Sequence, residues 1–151
     1  MTDTKTNPAP DRPLVTFALF AYNQEQYIRE AVEGAFSQTY EPLEIILSDD
    51  CSSDRTFEIM QEMAAAYEGP HEVRVRRSQL NRGISSHFKE VIEQSSGHYI
   101  VLAAGDDISL PERATASVIP MFKRKKINFR APRFLTVFAA TQRHRLRSAV
   151  W

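Results

Sequence analysis

Residues 43–56 read LEIILSDDCSSDRT. An apolar run, Leu43–Leu47, ends on two adjacent aspartates, Asp49 and Asp50. Small polar residues follow, and then helical spacing begins. A buried strand that delivers carboxylates to its C-terminal end is how open α/β sheets build nucleotide sites. A second end of this kind lies in Tyr99–Asp107, YIVLAAGDD. The same composition also suits a turn followed by a helix cap, so one acidic pair alone decides nothing.

Working outward, Leu14–Phe20 (LVTFALF) is short, apolar and rich in strand formers, as expected of a strand buried on both faces of a parallel sheet. Asn23 is a candidate N-cap for a helix over 24–38, where Tyr27, Ile28, Ala31, Val32, Ala35 and Phe36 fall at helical spacing. Ser53 or Asp54 caps a second helix with Phe57, Met60, Met63, Ala64 and Tyr67 on its buried face. Glu72–Arg77 (EVRVRR) alternates and predicts a strand nearer the sheet edge. Ile84, Phe88, Val91 and Ile92 mark a third helix, and His98–Ala103 a fourth strand. Ser109, Pro111 and Glu112 form a capping-box signature for a fourth helix. Strands alternating with helices through short connections predict a doubly wound α/β fold with a mostly parallel sheet and flanking helices. Ligands of such sheets bind beyond the strands' C-terminal ends, which here carry Ala21-Tyr22-Asn23, Asp49-Asp50 and Asp106-Asp107.

Composition narrows the classes. The 151 residues suit one domain with a sizeable core, and no run of about 18 apolar residues predicts a membrane span. The proline-rich start, residues 1–12, reads as a disordered lead without an export signal. A single cysteine, Cys51, fits a reducing cytoplasm and reads as a small space-filling residue. The formal net charge of zero hides a partition: residues 1–112 hold nine Lys/Arg and all 19 acids, whereas 113–151 hold ten Lys/Arg and no acid. That tail is a separate problem. No G-x-G-x-x-G and no phosphate loop of the G-x-x-x-x-G-K-[ST] type occurs, so polyphosphate binding here requires a metal or cationic side chains. A hard divalent cation takes one or two carboxylates plus substrate phosphates, which Asp106 and Asp107 can offer. Asp50 can accept hydrogen bonds from a base or ribose. A response-regulator-like domain also carries acidic strand ends, but it needs a lysine at a later strand end and none stands there.

The run from Pro13 to Thr56 resembles the opening of family 2 glycosyltransferases. The shared elements are Tyr22-Asn23 after the first strand, Ser37-Gln38-Thr39-Tyr40 at the helix end, and Asp49-Asp50-Cys51-Ser52-Ser53-Asp54-Arg55-Thr56. Asn81-Arg82-Gly83, Gly97–Asp107 and Pro111-Glu112-Arg113 continue the likeness, which spans residues 13–113. The resemblance implies a GT-A fold, of which residues 13–112 would be the nucleotide-sugar-binding, Rossmann-like half. It implies transfer of a sugar from a nucleotide-diphosphate donor to an unknown acceptor, with a divalent cation, Mg or Mn. Ala21 and Tyr22 would line the nucleotide pocket, Asp50 would contact the base, and Arg82 and Gly83 would lie near it. Asp106 would ligate the metal, with Asp107 beside it. The family's usual Asp-x-Asp begins here with Ala104, and Phe88-Lys89 stand where the family often has Arg-Asn.

The family's catalytic base lies downstream of the metal motif. No acid follows Glu112, so no catalytic residue is assigned. The four histidines are expected to be structural or solvent-facing. Pro120 is expected to interrupt any helix over 114–122, and 133–140 (RFLTVFAA) reads as a possible strand. Nothing past Glu112 reads like the family's next elements, and the expectation is a truncated chain or an altered reading frame. The alternative function is a nucleotide-binding fragment without turnover, or an interaction module whose basic tail meets a membrane surface or nucleic acid. Missing sheet strands would favour a homo-oligomer, and the location would be cytoplasmic or peripheral to the membrane.

Overall fold

The computed structural model describes residues 12–124 and 135–137. Five strands, β1 (Val15–Ala21), β2 (Leu43–Asp49), β3 (Glu72–Arg77), β4 (Tyr99–Ala104) and β5 (Leu135–Val137), alternate with α1 (Ile28–Phe36), α2 (Thr56–Ala65), α3 (Gly83–Gln94) and α4 (Arg113–Arg124). The sheet order is β3-β2-β1-β4-β5. Every pairing is parallel, with Val15 opposite both Leu43 and Tyr99. The doubly wound parallel architecture read from the sequence is therefore present. β3 lies at an edge, as its alternating pattern predicts.

The side-chain period of two sorts the strands onto two faces. Val15, Phe17, Leu19, Ile45, Leu47, Tyr99 and Val101 pack with Ile28, Val32 and Ala35 of α1, Ile59 and Met60 of α2, and Ala114 and Val118 of α4. Ala18, Ile46 and Ile100 face the other way, onto Val91 of α3. β1 and β2 are buried on both faces because helices cover both, which is why their sequences are continuous apolar runs. The strand order reverses between β1 and β4, so the C-terminal ends of β1, β2 and β4 frame the crevice where such sheets take ligands.

Several local expectations are corrected. α1 starts at Ile28, because Gln24 closes a turn first: its carbonyl accepts from both Tyr27 N–H and Ile28 N–H at 2.9 Å. Asn23 does not cap α1; its φ of 49° turns its side chain to the neighbouring loop. The formal N-cap of α2 is Arg55, but Asp54 Oδ1 accepts Thr56 N–H at 2.9 Å, so the expected capping bond is made by Asp54. The capping box of Ser109 and Glu112 does not form. Ser109 Oγ instead accepts from Arg113 Nη1 at 2.8 Å, and α4 begins one residue after Glu112. Pro120 does not interrupt α4. Its ring and Ala116, whose carbonyl it leaves without a helical donor, are both exposed, so water can satisfy that oxygen. Within the segment 133–140, Leu135–Val137 form β5 beside β4. Residues 1–11 of the lead, 125–134 and 138–151 lie outside the described residues.

Candidate functional site

The three strand ends form one interlocked platform. Two loops, after β1 and after β2, are stitched by six hydrogen bonds. Asn23 N–H donates to Ser52 Oγ (2.8 Å), Gln24 N–H to Thr56 Oγ1 (2.7 Å) and Glu25 N–H to Asp54 Oδ2 (3.1 Å). In return Ser53 N–H and Oγ donate to Asn23 Oδ1 (2.8 and 3.2 Å), and Arg55 N–H to Glu25 Oε2 (3.0 Å). Burial pushes the Asp54 carboxyl up, but the Thr56 hydroxyl and the Thr56 and Glu25 N–H groups outweigh it and hold it below its usual range. Ser52, Asp54 and Thr56 thus serve the platform.

The two aspartates of β2 have different duties. Asp49 is fully buried and accepts from Ser52 N–H (2.9 Å) and from Ser52 Oγ, and it forms an ion pair with Arg77, whose Nε lies 3.3 Å away. Cys51, at φ 63°, makes the left-handed step that brings Ser52 back onto Asp49. Cys51 is half-buried, and its thiol donates to Gln79 O at 3.7 Å. Asp50 faces α3. Its Oδ1 accepts Arg82 N–H and its Oδ2 accepts Gly83 N–H, both at 2.9 Å. Asp50 thereby caps the N-terminus of α3 from 32 residues away. A carboxylate has about four acceptor sites, so a lone pair on each oxygen is left for a ligand N–H or hydroxyl. Gly83 has φ +71°, which the turn onto Asp50 requires.

Ala21 and Tyr22 sit between this acid and the end of β4. Ala21 is buried, its carbonyl accepts Asp50 N–H at 2.9 Å, and Tyr22 is 47% exposed. Gly105 packs so tightly on β1 that an added Cβ would lie 2.9 Å from Ala21 Cβ and 2.4 Å from Gln24 Oε1. Asp106 is exposed, and its carboxylate has no recorded hydrogen bond or ion pair among the described residues. Asp107 is half-buried; Ala104 N–H points at its Oδ2 (3.3 Å), and Arg113 Nη1 lies 3.7 Å away. Among the described residues no group of three or more His, Cys, Asp or Glu side chains could hold a metal by itself. The structure thus brings Asp50, Arg82 and Gly83 together and sets Ala21 between them and the Gly105–Asp107 loop.

Sequence reasoning missed the anchors of that loop. Arg113, its side chain only 10% exposed, donates to Leu102 O (2.6 Å) and to Ser109 Oγ, and its guanidinium lies over the Phe17 ring. Burial pulls Arg113 below the usual arginine range, and Asp107 opposes the pull. Gln38 Nε2 donates to Gly34 O and Leu110 O, and its Oε1 accepts Ala114 N–H, each at 2.8 Å. Gln38 therefore welds the end of α1 to the start of α4. Its place inside Ser37-Gln38-Thr39-Tyr40 was the only sequence signal, and it says nothing of partners 72 and 76 positions away. Tyr40, the last residue of that motif, donates to Pro13 O at 2.8 Å. His71 and His87 are structural as expected, though both are buried, bonding Gln38 O (2.7 Å) and Ser48 Oγ (2.5 Å).

The family model for glycosyl transferase family 2 matches residues 16–147, which includes most of the segment that the charge partition sets apart. An uncharacterised protein of Mycobacterium tuberculosis is 44% identical over 88 residues, 58% of this chain and 25% of that protein. Chondroitin synthase of Escherichia coli is 39% identical over 101 residues, 66% of this chain and 14% of the synthase. The chain thus spans a quarter or less of the length of these two relatives. Among solved structures, the mannosyltransferase PcManGT from Pyrobaculum calidifontis, in complex with GDP-Man and Mn2+, superposes with a TM-score of 0.65. The match covers 71% of this chain and 32% of that one at 21% identity, and shows a shared GT-A, Rossmann-like fold.

Proposed function

The chain belongs to glycosyl transferase family 2, and from that premise we propose that its strand ends bind the nucleoside-diphosphate part of a sugar donor. Sugar transfer to an acceptor would be the activity of the family fold that residues 13–112 begin. The observation that carries this reading is Asp50, a buried carboxylate fixed by Arg82 and Gly83 N–H at the end of β2, with spare lone pairs. Asp50 accepts from the base, Ala21 and the exposed Tyr22 ring line the pocket, and Arg82 and Gly83 form its far wall. Arg82 adds positive charge there, which suits a polyphosphate.

The donor set suits a divalent cation, Mg or Mn. Asp106 offers two unshared carboxylate oxygens, and a hard cation completes its shell with phosphate oxygens and water. Asp107 is the poorer ligand, because Arg113 already stands beside it. When bound, the metal would supply Lewis-acid stabilisation of the charge on the departing nucleoside diphosphate. The similar mannosyltransferase structure, which contains GDP-Man and Mn2+, supports this choice of donor and cofactor.

Among the described residues no helix is long and apolar enough to cross a membrane. A cytoplasmic location is part of the proposal, resting on the single, unpaired cysteine.

Calorimetric titration of the full chain with UDP and with GDP, in Mn2+ and in EDTA, tests the reading. At least one nucleoside diphosphate should bind saturably and more tightly with Mn2+, and Asp106→Ala should erase the gain from metal. Absence of binding by both nucleotides under either condition rejects the donor site. Nucleotide binding without release of sugar from a nucleotide-sugar would favour the second reading, a donor-binding module without turnover.

A further inference from the structure

Glu90, two turns along α3, gathers the polar groups around that helix's N-terminus. Its Oε2 accepts from Arg76 Nη2 at 2.6 Å and from Ser78 Oγ at 3.2 Å. Its Oε1 lies 3.2 Å from Arg82 Nε. Arg76 Nη1 in turn donates to Ser48 Oγ at 2.7 Å, one residue before Asp49 on β2. The Arg76 hydrogen bond leads the causes that hold the Glu90 carboxyl below its usual range.

The geometry at Arg82 is selective. Nε is the guanidinium nitrogen that faces Glu90, 3.2 Å from its Oε1. Nη1 and Nη2 have no recorded partner among the described residues, and the Arg82 side chain is 45% exposed. The backbone N–H of the same residue is held on Asp50. One residue therefore joins the acid assigned to the base with a guanidinium whose two outer nitrogens are open to a ligand. A free arginine side chain on a loop samples many rotamers, and ordering it on binding costs affinity. A carboxylate paired on the Nε side reduces that cost and leaves the fork for a planar, bidentate contact with phosphate oxygens.

We propose that Glu90 is a positioning residue for the diphosphate of the bound donor, acting through the guanidinium of Arg82. The inference rests on the donor-site reading and adds which part of the donor this corner recognises. A merely structural Glu90 would tie α3 to β3 through Arg76, and its loss would weaken nucleoside and diphosphate binding together.

Affinities for UDP, GDP, uridine and guanosine, measured on the full chain and its variants, separate the two. Glu90→Gln should weaken nucleoside diphosphate binding about fivefold and leave nucleoside binding unchanged. In an Arg82→Ala background the same change should add less than about twofold, because the route through Arg82 is gone. Arg82→Lys, at a half-exposed position, keeps the charge and loses Nε; it should show the same diphosphate-selective loss without disturbing Arg76. Equal losses for nucleosides and diphosphates, or an undiminished Glu90→Gln effect without Arg82, would overturn the inference while leaving the donor site standing. No binding by the unsubstituted chain would remove both.

Discussion

Asp50 shows how one side chain can hold the fold and still be available to a ligand. Both oxygens accept backbone N–H groups of α3, so the carboxylate is oriented before anything binds. Asp50→Asn presents an amide NH2 to one of those donors. We expect a loss of about 1–2 kcal/mol in urea unfolding, with weaker nucleotide binding in the folded fraction. Gly83→Ala isolates a different effect. Nothing lies within 4 Å of an added Cβ, so only the left-handed φ of +71° opposes it. The expected cost is about 1–2 kcal/mol in the same assay, without a steric component.

His87 gives this corner a pH dependence. Burial lowers its pKa, and Arg76 adds to that, while Asp50, Glu90 and Asp49 oppose the shift without reversing it. The unfolded chain takes up a proton near 6.5, and the native chain resists until the pH is lower. Stability from this group is therefore fully present above 6.5 and declines as the pH falls through the window beneath it. His87→Gln should flatten the difference between urea midpoints taken at about pH 7.5 and about pH 5.5. An unchanged difference would mean that His87 is not the titrating group.

At the scale of elements, the strands were legible, whereas of the caps only that of Asp54 on α2 was. β1, β2 and β4 announced themselves because helices cover both faces and the sequence must be apolar throughout. Helix capping rules are local, looking one to three residues ahead. Here Asn23 serves Ser53 and Asp50 serves Arg82, partners 30 and 32 residues away. The residue types were right for accepting N–H groups, yet their partners belonged to other elements. The same limit explains Arg113 and Gln38, whose tasks exist only once α1 and α4 lie against each other. Two substitutions test the element interfaces. Asp54→Ala removes the acceptor of both Glu25 N–H and Thr56 N–H and should cost about 1–3 kcal/mol. Gly97→Ala should cost about 1–3 kcal/mol, because a Cβ there meets the backbone nitrogen of Thr16 at 2.5 Å, which has nowhere to retreat within β1.

For the whole molecule, the sheet order β3-β2-β1-β4-β5 turns separate motifs into one place. Acidic ends more than 50 positions apart in sequence, Asp50 and Asp106, belong to neighbouring loops because β1 lies between β2 and β4. Alternation of strand and helix made a mostly parallel, doubly wound sheet readable, but not its strand order. The basic segment after Glu112 was not readable in the same way. Its composition suggested a truncated or frame-altered continuation; the family match runs to residue 147, and Leu135–Val137 pair beside β4. Lost acids alter charge, but three residues of strand propensity are enough to pair beside β4.

In the proposed donor site, a nucleoside diphosphate binds across the ends of β1, β2 and β4. Hydrogen exchange of the full chain, followed by peptide with and without saturating UDP or GDP plus Mn2+, locates the ligand directly. Slower exchange should concentrate in residues 21–25, 50–54, 81–84 and 104–108, with β3 and the outer turns of α2 unchanged. Protection confined to other segments, or none at saturation, would contradict it.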